Sequence, residues 1–177
     1  MLHGNNPMTV SQFENSAYES SQTAELNLNA AILRAEIDRS YEEFLDIFER
    51  FYADDVEVSS EDSRETICGK EKVRTLLFDF LVPLHVMAEI GGLLISIRQT
   101  AIPGDVAADE THSEWTLELV GVSGRSCTLS WRAFRKWIGS RVVYEYHYDH
   151  QQSGGPLTSV DLSFNAATSS EGFRRPS

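Results

Sequence analysis

The sequence predicts an α+β domain in which a strongly curved antiparallel sheet packs on N-terminal helices around a central pocket. Three observations lead there. Apolar residues recur at helical spacing through the first half of the chain. Strict alternation replaces that spacing after Gly91-Gly92. The alternating runs are joined by short turns rather than by helices, so the strands pair antiparallel. At 177 residues, with 41% hydrophobic and 24% charged side chains, the chain holds one domain with a core of ordinary size.

The elements follow in order. Residues 1–23 mix Asn, Ser, Gln and Gly with few apolar side chains, and are expected to be disordered. From Ala24 to Ala53, Leu26, Ala30, Leu33, Ile37, Phe44, Phe48 and Phe51 keep helical spacing. Ser40 followed by Glu43 matches a capping box, which divides the stretch into two helices meeting near Arg39. Acidic residues crowd this region, and a solvated helix face is the expected reason. Val56-Glu57-Val58 alternates as a short strand, and residues 59–66 form a polar loop. Gly69 opens a third helix running through Phe80, with Pro83 as its expected stop. Strands are expected at Leu93–Ile102, Glu110–Val120, Ser126–Trp137 and Arg141–His150, with turns at Pro103-Gly104, Val122-Ser123-Gly124 and Ile138-Gly139-Ser140. The domain thus spans residues 24–150, and residues 151–177 are expected to be a mostly disordered tail.

Composition excludes several functions. The 27 acids against 15 bases give a net charge of −12, which repels phosphate backbones and anionic lipid. Neither nucleic acid nor a membrane is an expected partner. The longest apolar runs, Thr75 to Met87 and Gly91 to Ile97, are too short to span a bilayer. No basic stretch followed by an apolar run opens the chain, and Cys68 and Cys127 lie outside any CxxC or zinc spacing. A cytoplasmic location with reduced thiols is the expectation. Dinucleotide, P-loop and serine-hydrolase motifs are missing, so no cofactor is expected. His147, Asp149 and His150 make a poor ligand set, so no metal is expected either.

Two segments, FYADDVEV…GKEKVRTLLFDF and TLELVGVSGRSCTLSWRAF…GSRVVYEYHYD, carry a resemblance. Their order and spacing resemble the nuclear-transport-factor-2-like superfamily, and within it the SnoaL-like proteins, from Leu26 to His150. The resemblance implies a cone: a bent sheet closed by helices around an apolar pocket, often dimerising through the sheet. It does not fix an activity, since isomerases, cyclases, epoxide hydrolases, dehydratases and non-catalytic binders share the cone. The ketosteroid-isomerase base position falls at Ser60, beside Glu61 and Asp62, and the oxyanion position near Arg132 or Ala133. The epoxide-hydrolase positions fall at Glu114, Thr116 and Tyr146. Asp149 suits the second acid of the SnoaL-like cyclases, and the first falls at Tyr146 or, one residue on, His147. No catalytic set is retained whole.

The residues also speak for themselves. On the last strand Val143, Glu145, His147 and Asp149 share one face, and Tyr144, Tyr146 and Tyr148 the other. If the first face looks inward, His147 sits among carboxylates and can shuttle a proton, with Glu145, Asp149 or Glu114 tuning it. The same alternation fits an amphipathic strand with its charged face in water. His112 and Glu114 line the cavity mouth if their face is the inner one; sheet parity decides. His85, inside an apolar run, either contacts a ligand or is a satisfied core residue, with Met87 beside it as apolar wall. Tyr52, Trp115, Trp131, Phe134 and Tyr146 supply aromatic surface for a ring-shaped ligand. Two readings remain. One is an acid/base isomerase, cyclase or dehydratase acting on a small, apolar, cyclic, polyketide- or steroid-like molecule. The other is a non-catalytic binding or dimeric assembly protein.

Overall fold

The structure, a computed structural model, describes residues 10–102, 107–155 and 157. Three helices lie against one six-stranded sheet: α1 (Val10–Asp38), α2 (Tyr41–Phe51), β1 (Tyr52–Ser60), β2 (Ile67–Cys68), α3 (Lys70–Gly91), β3 (Leu94–Ala101), β4 (Glu110–Val120), β5 (Ser126–Ile138) and β6 (Arg141–Gly154). The strand order is β2-β1-β6-β5-β4-β3. All neighbours are antiparallel except β1 and β6, which run parallel, so the sheet is mixed. The sheet is open, and the helices cover its concave side.

Several boundaries follow the sequence. Ser40 caps α2 with its hydroxyl accepting from the Glu43 amide at 3.3 Å. Arg39 turns the chain between the two helices with φ of 49°. Phe44, Ile47, Phe48 and Phe51 then bury one face of α2. Other boundaries differ. Helix α1 begins at Val10, within the stretch expected to be disordered. Its buried face is Ala24, Leu28 and Ala35 together with Glu25, Asn29 and Glu36, whereas Leu26 and Ile37 are exposed. The inward stripe is therefore rotated from the one the apolar spacing marks, because this helix buries polar groups for specific partners.

Pro83 does not stop α3, which continues to Gly91. Proline removes one backbone donor and disfavours a helix interior. Here the turns on both sides of it are anchored, by Leu81 before and His85 after, both buried. Gly92, left-handed at φ 73°, ends the helix by donating to the Met87 carbonyl. Strand β1 is longer than expected, and a short strand β2 that was not expected follows directly after the predicted polar loop. Strand β6 runs four residues beyond His150, its end pairing Gly154 with Cys127. The Pro103-Gly104 turn lies outside the described residues. Both cysteines are free, and no described helix is long and apolar enough to cross a membrane.

Replacing Ser40 by Ala removes the α2 cap, with an expected loss of about 1 kcal/mol. For a chain of this size that is a fall of about 3 °C in Tm, read by circular dichroism.

Candidate active site

Parity settles which side chains meet. On β4, Thr111, Ser113, Trp115 and Leu117 point inward and are buried, and on β5 Ala133, Arg135 and Trp137 do the same. On β6 Glu145 and His147 face the concave side. Helices and sheet enclose a cavity of about 150 Å³. Its walls are mainly apolar, with Phe48 from α2, Leu81 and Leu84 from α3, Ile97 from β3, and Trp115 and Trp131 from the sheet. The two indoles stack with centroids 6.3 Å apart. Phe80, half exposed, stands at the rim.

One end of this cavity is polar, and Arg135 builds it. Its guanidinium, 3% exposed, donates from Nε and Nη2 to both Glu145 oxygens at 3.0 and 3.3 Å. Nη1 donates to Glu25 of α1 at 2.7 Å and to Asn29 at 3.2 Å. One cation thus meets two buried carboxylates, and neutral donors complete both. Asn29 and Thr111 donate to Glu25 at 2.9 Å each, and Trp137 donates to Thr111 at 2.8 Å. Tyr52 donates to Glu145 Oε2 at 2.8 Å, and His147 Nε2 lies 2.6 Å from Oε1.

Burial alone would raise the Glu145 carboxyl. The Arg135 charge, with hydrogen bonds from His147 and Arg135, outweighs it and holds Glu145 well below the usual carboxylate range. Burial, reinforced by the Glu145 charge, pushes the Tyr52 phenol well above its ordinary value, so it remains a donor. An ionised carboxylate only accepts. Nε2 of His147 must therefore carry the proton in this pair. The ring is about one-third exposed and lines the cavity. The carboxylate thus orients the imidazole from behind.

The other sequence candidates are distributed as follows. Tyr52, Trp115, Trp131, Glu145 and His147 line the cavity. Asp149 does not share the inner face expected for it. Its φ of 54° coincides with a register shift in the β5–β6 ladder and breaks the alternation. Asp149 and Glu114 both lie 3.5 Å from Arg132 on the outer side. His112 is on that outer side too, bonded to the Tyr148 hydroxyl at 2.9 Å and packed on Phe134. Glu114, His112 and Phe134 are therefore not at the cavity mouth. Tyr146 stacks on Tyr148 on the same outer face. His85 is 1% exposed and sits against Glu36, its Nε2 3.1 Å from both carboxylate oxygens, with Tyr41 and Phe44 alongside. Met87 packs on the Leu93, Leu117 and Leu119 cluster and does not line the cavity. Among the described residues, Glu61, Asp62 and His150 are close enough to share an ion, but all are exposed, and Glu61 already accepts from the His150 amide at 2.8 Å.

Sequence reasoning missed Glu25, Asn29, Glu36 and Arg135. The first three were hidden in a helix whose acids read as solvated. A signal existed: Glu25, Asn29 and Glu36 follow at four and seven residues, one face of a helix.

No protein-family profile and no curated protein matches the chain. Solved structures do. A Bacillus subtilis protein provisionally named an isomerase superposes with a TM-score of 0.50 at 13% identity, covering 76% of this chain and 88% of its own. A Mycobacterium tuberculosis protein gives a TM-score of 0.50 at 16% identity, covering 75% and 96%. A nuclear-transport-factor-2-like protein of unknown function from Cytophaga hutchinsonii gives 0.46 at 13% identity, covering 72% and 97%. The likeness is one of fold.

Two outcomes test this geometry. Arg135→Met leaves two buried carboxylates without their cation and is expected to cost about 3–5 kcal/mol in urea unfolding. The pH dependence has a definite sign. Glu145 titrates lower when folded than its ordinary 4.5, so its contribution is complete above that value. It is lost as pH falls through the folded value. Below about pH 5 the wild type should lose stability more steeply than Glu145→Gln.

Proposed function

From the nuclear-transport-factor-2-like fold, we propose that this protein is an acid/base enzyme that needs no cofactor and acts on a small, apolar, cyclic molecule. His147 is its proton-transferring group. The observation that carries this is the His147 ring itself: Nε2 is held at 2.6 Å by a buried carboxylate, and the ring lines a mainly apolar cavity. A base so placed removes a proton from carbon next to a carbonyl and returns it elsewhere, the common step of isomerisation, cyclisation and dehydration. The polyketide- and isomerase-type activities associated with this fold belong to that class. The fold alone does not choose among them.

Size narrows the ligand. An engineered apolar cavity of about 150 Å³ takes one benzene. The cavity here has about that volume, so a single ring fits and a steroid would require Phe80 and its neighbours to move. Tyr52 and Arg135 act through Glu145 rather than on the ligand, because their hydrogen bonds are already made to it. Both are positioning residues.

The test uses cyclohexanone in D2O, with α-proton exchange followed by NMR. Wild-type protein is expected to accelerate exchange, His147→Ala to lose the acceleration by at least about 10²-fold, and Glu145→Gln to lose part of it. Cyclohexanone that binds in the cavity with exchange no faster than in buffer would instead favour the non-catalytic binding reading.

A further inference from the structure

Strand β6 runs to Gly154, which pairs with Cys127 near the start of β5, and there the backbone turns left-handed. Glycine is required at that point: φ is 82°, and a Cβ would overlap the Ser126 carbonyl oxygen. Three residues on, Leu157 is partly buried against the apolar cluster of Leu93, Leu117 and Leu119. Leu84, Ile97, Leu117 and Trp131 belong to the same cluster and also line the cavity. This is the other end of β4 from Thr111 and Ser113, which bond the Arg135 group. The chain leaving β6 is thus carried onto the apolar end of the cavity, where α3 contributes Leu84 and Met87.

The outward face of α3 beside that point is uncovered among the described residues. Leu76, Phe80, Val86 and Ile90 are between 44% and 55% exposed. With Pro83 they follow at four, three, three and four residues, which draws one apolar stripe along the outside of the helix. A contiguous apolar surface of this kind marks a contact. The sequence after Leu157 carries a matching pattern. Val160, Leu162 and Phe164 fall at alternate positions, with Asp161 and Ser163 between them. Alternation puts the three apolar side chains on one side of an extended segment and the polar ones on the other. From Leu157 to Phe164 such a segment reaches about 23 Å. Helix α3 rises only about 15 Å from Phe80 to Ile90, so the stripe lies within its reach.

We infer that the α3 stripe is the docking surface for this chain's own residues 158–164, with Val160, Leu162 and Phe164 against the helix and Leu157 as the anchor. The occupant is the chain itself because Leu157 already tethers the segment beside the stripe. Covering the stripe then costs only the ordering of seven residues, whereas a second copy must also give up its free translation and rotation. The docked segment passes over Phe80 at the cavity rim, so entry of a ligand is coupled to its release. This goes beyond the acid/base reading above and stands whether or not His147 moves protons.

The experiment is paramagnetic NMR on the full chain. A nitroxide is attached at Ser163→Cys, on the polar side of the segment, in a Cys68→Ser background that removes the exposed thiol; Cys127 is buried. The label is expected to broaden the signals of Phe80, Val86 and Ile90 and to leave those of Tyr146 and Tyr148, on the outer face of the sheet, sharp. Adding Leu162→Asp and Phe164→Asp is expected to restore the α3 signals and to raise the fluorescence of added anilinonaphthalene sulfonate severalfold, with the β4 and β5 amides unshifted. When nitroxide-bearing chains without isotope are mixed with isotope-labelled chains without nitroxide, the α3 signals are expected to stay sharp. Sharp α3 signals in the nitroxide-bearing protein itself, or broadening that the two aspartates do not relieve, would overturn the inference. Broadening in the mixture would assign the stripe to a second copy and overturn it as well.

Discussion

The polar end of the cavity depends on burying one guanidinium between two carboxylates from different parts of the chain. Arg135 on β5 takes Glu145 from the neighbouring strand and Glu25 from α1. A charge that deep is tolerable only when each donor has an acceptor in place. The planar fork of arginine meets that condition and a lysine could not. The bond to Glu25 also fixes how α1 lies across the sheet, and so where its later turns, including Glu36, meet the cavity. Helix position and the geometry of the polar end are set by the same side chain.

The ionised Glu145 then passes that order outward. It accepts from Arg135, from Tyr52 and from His147. An acceptor saturated in this way dictates which nitrogen of His147 is protonated, without touching the ligand itself. The remaining walls are aromatic and aliphatic. A polar end and an apolar body together make up the cavity.

Much of the fold was legible in the sequence because it is written in period and punctuation. The switch from helical to alternating spacing at Gly92, the Ser40 cap and the β4–β6 strands all appear where their residues place them. The inward face of β6 was legible as far as Glu145 and His147. It failed at Asp149, where one left-handed residue reverses the alternation, which no hydrophobic pattern records. His112 and Glu114 were misplaced for a related reason: the inner face of β4 carries Thr111 and Ser113, polar residues buried with hydrogen bonds to Glu25 and Arg135. Glu25, Asn29 and Glu36 were illegible because acids on a helix ordinarily face water. Only the arrival of Arg135 from 110 residues away, and of His85 on α3, gives them a reason to turn inward.

The central claim is that the ionised Glu145 holds the proton of His147 on Nε2. Nitrogen NMR on protein labelled at histidine measures this directly. The account predicts a His147 ring protonated at Nε2, with that proton shifted strongly downfield by its hydrogen bond and the shift lost in Glu145→Gln. A ring protonated at Nδ1, or an Nε2 signal indifferent to Glu145→Gln, would contradict it.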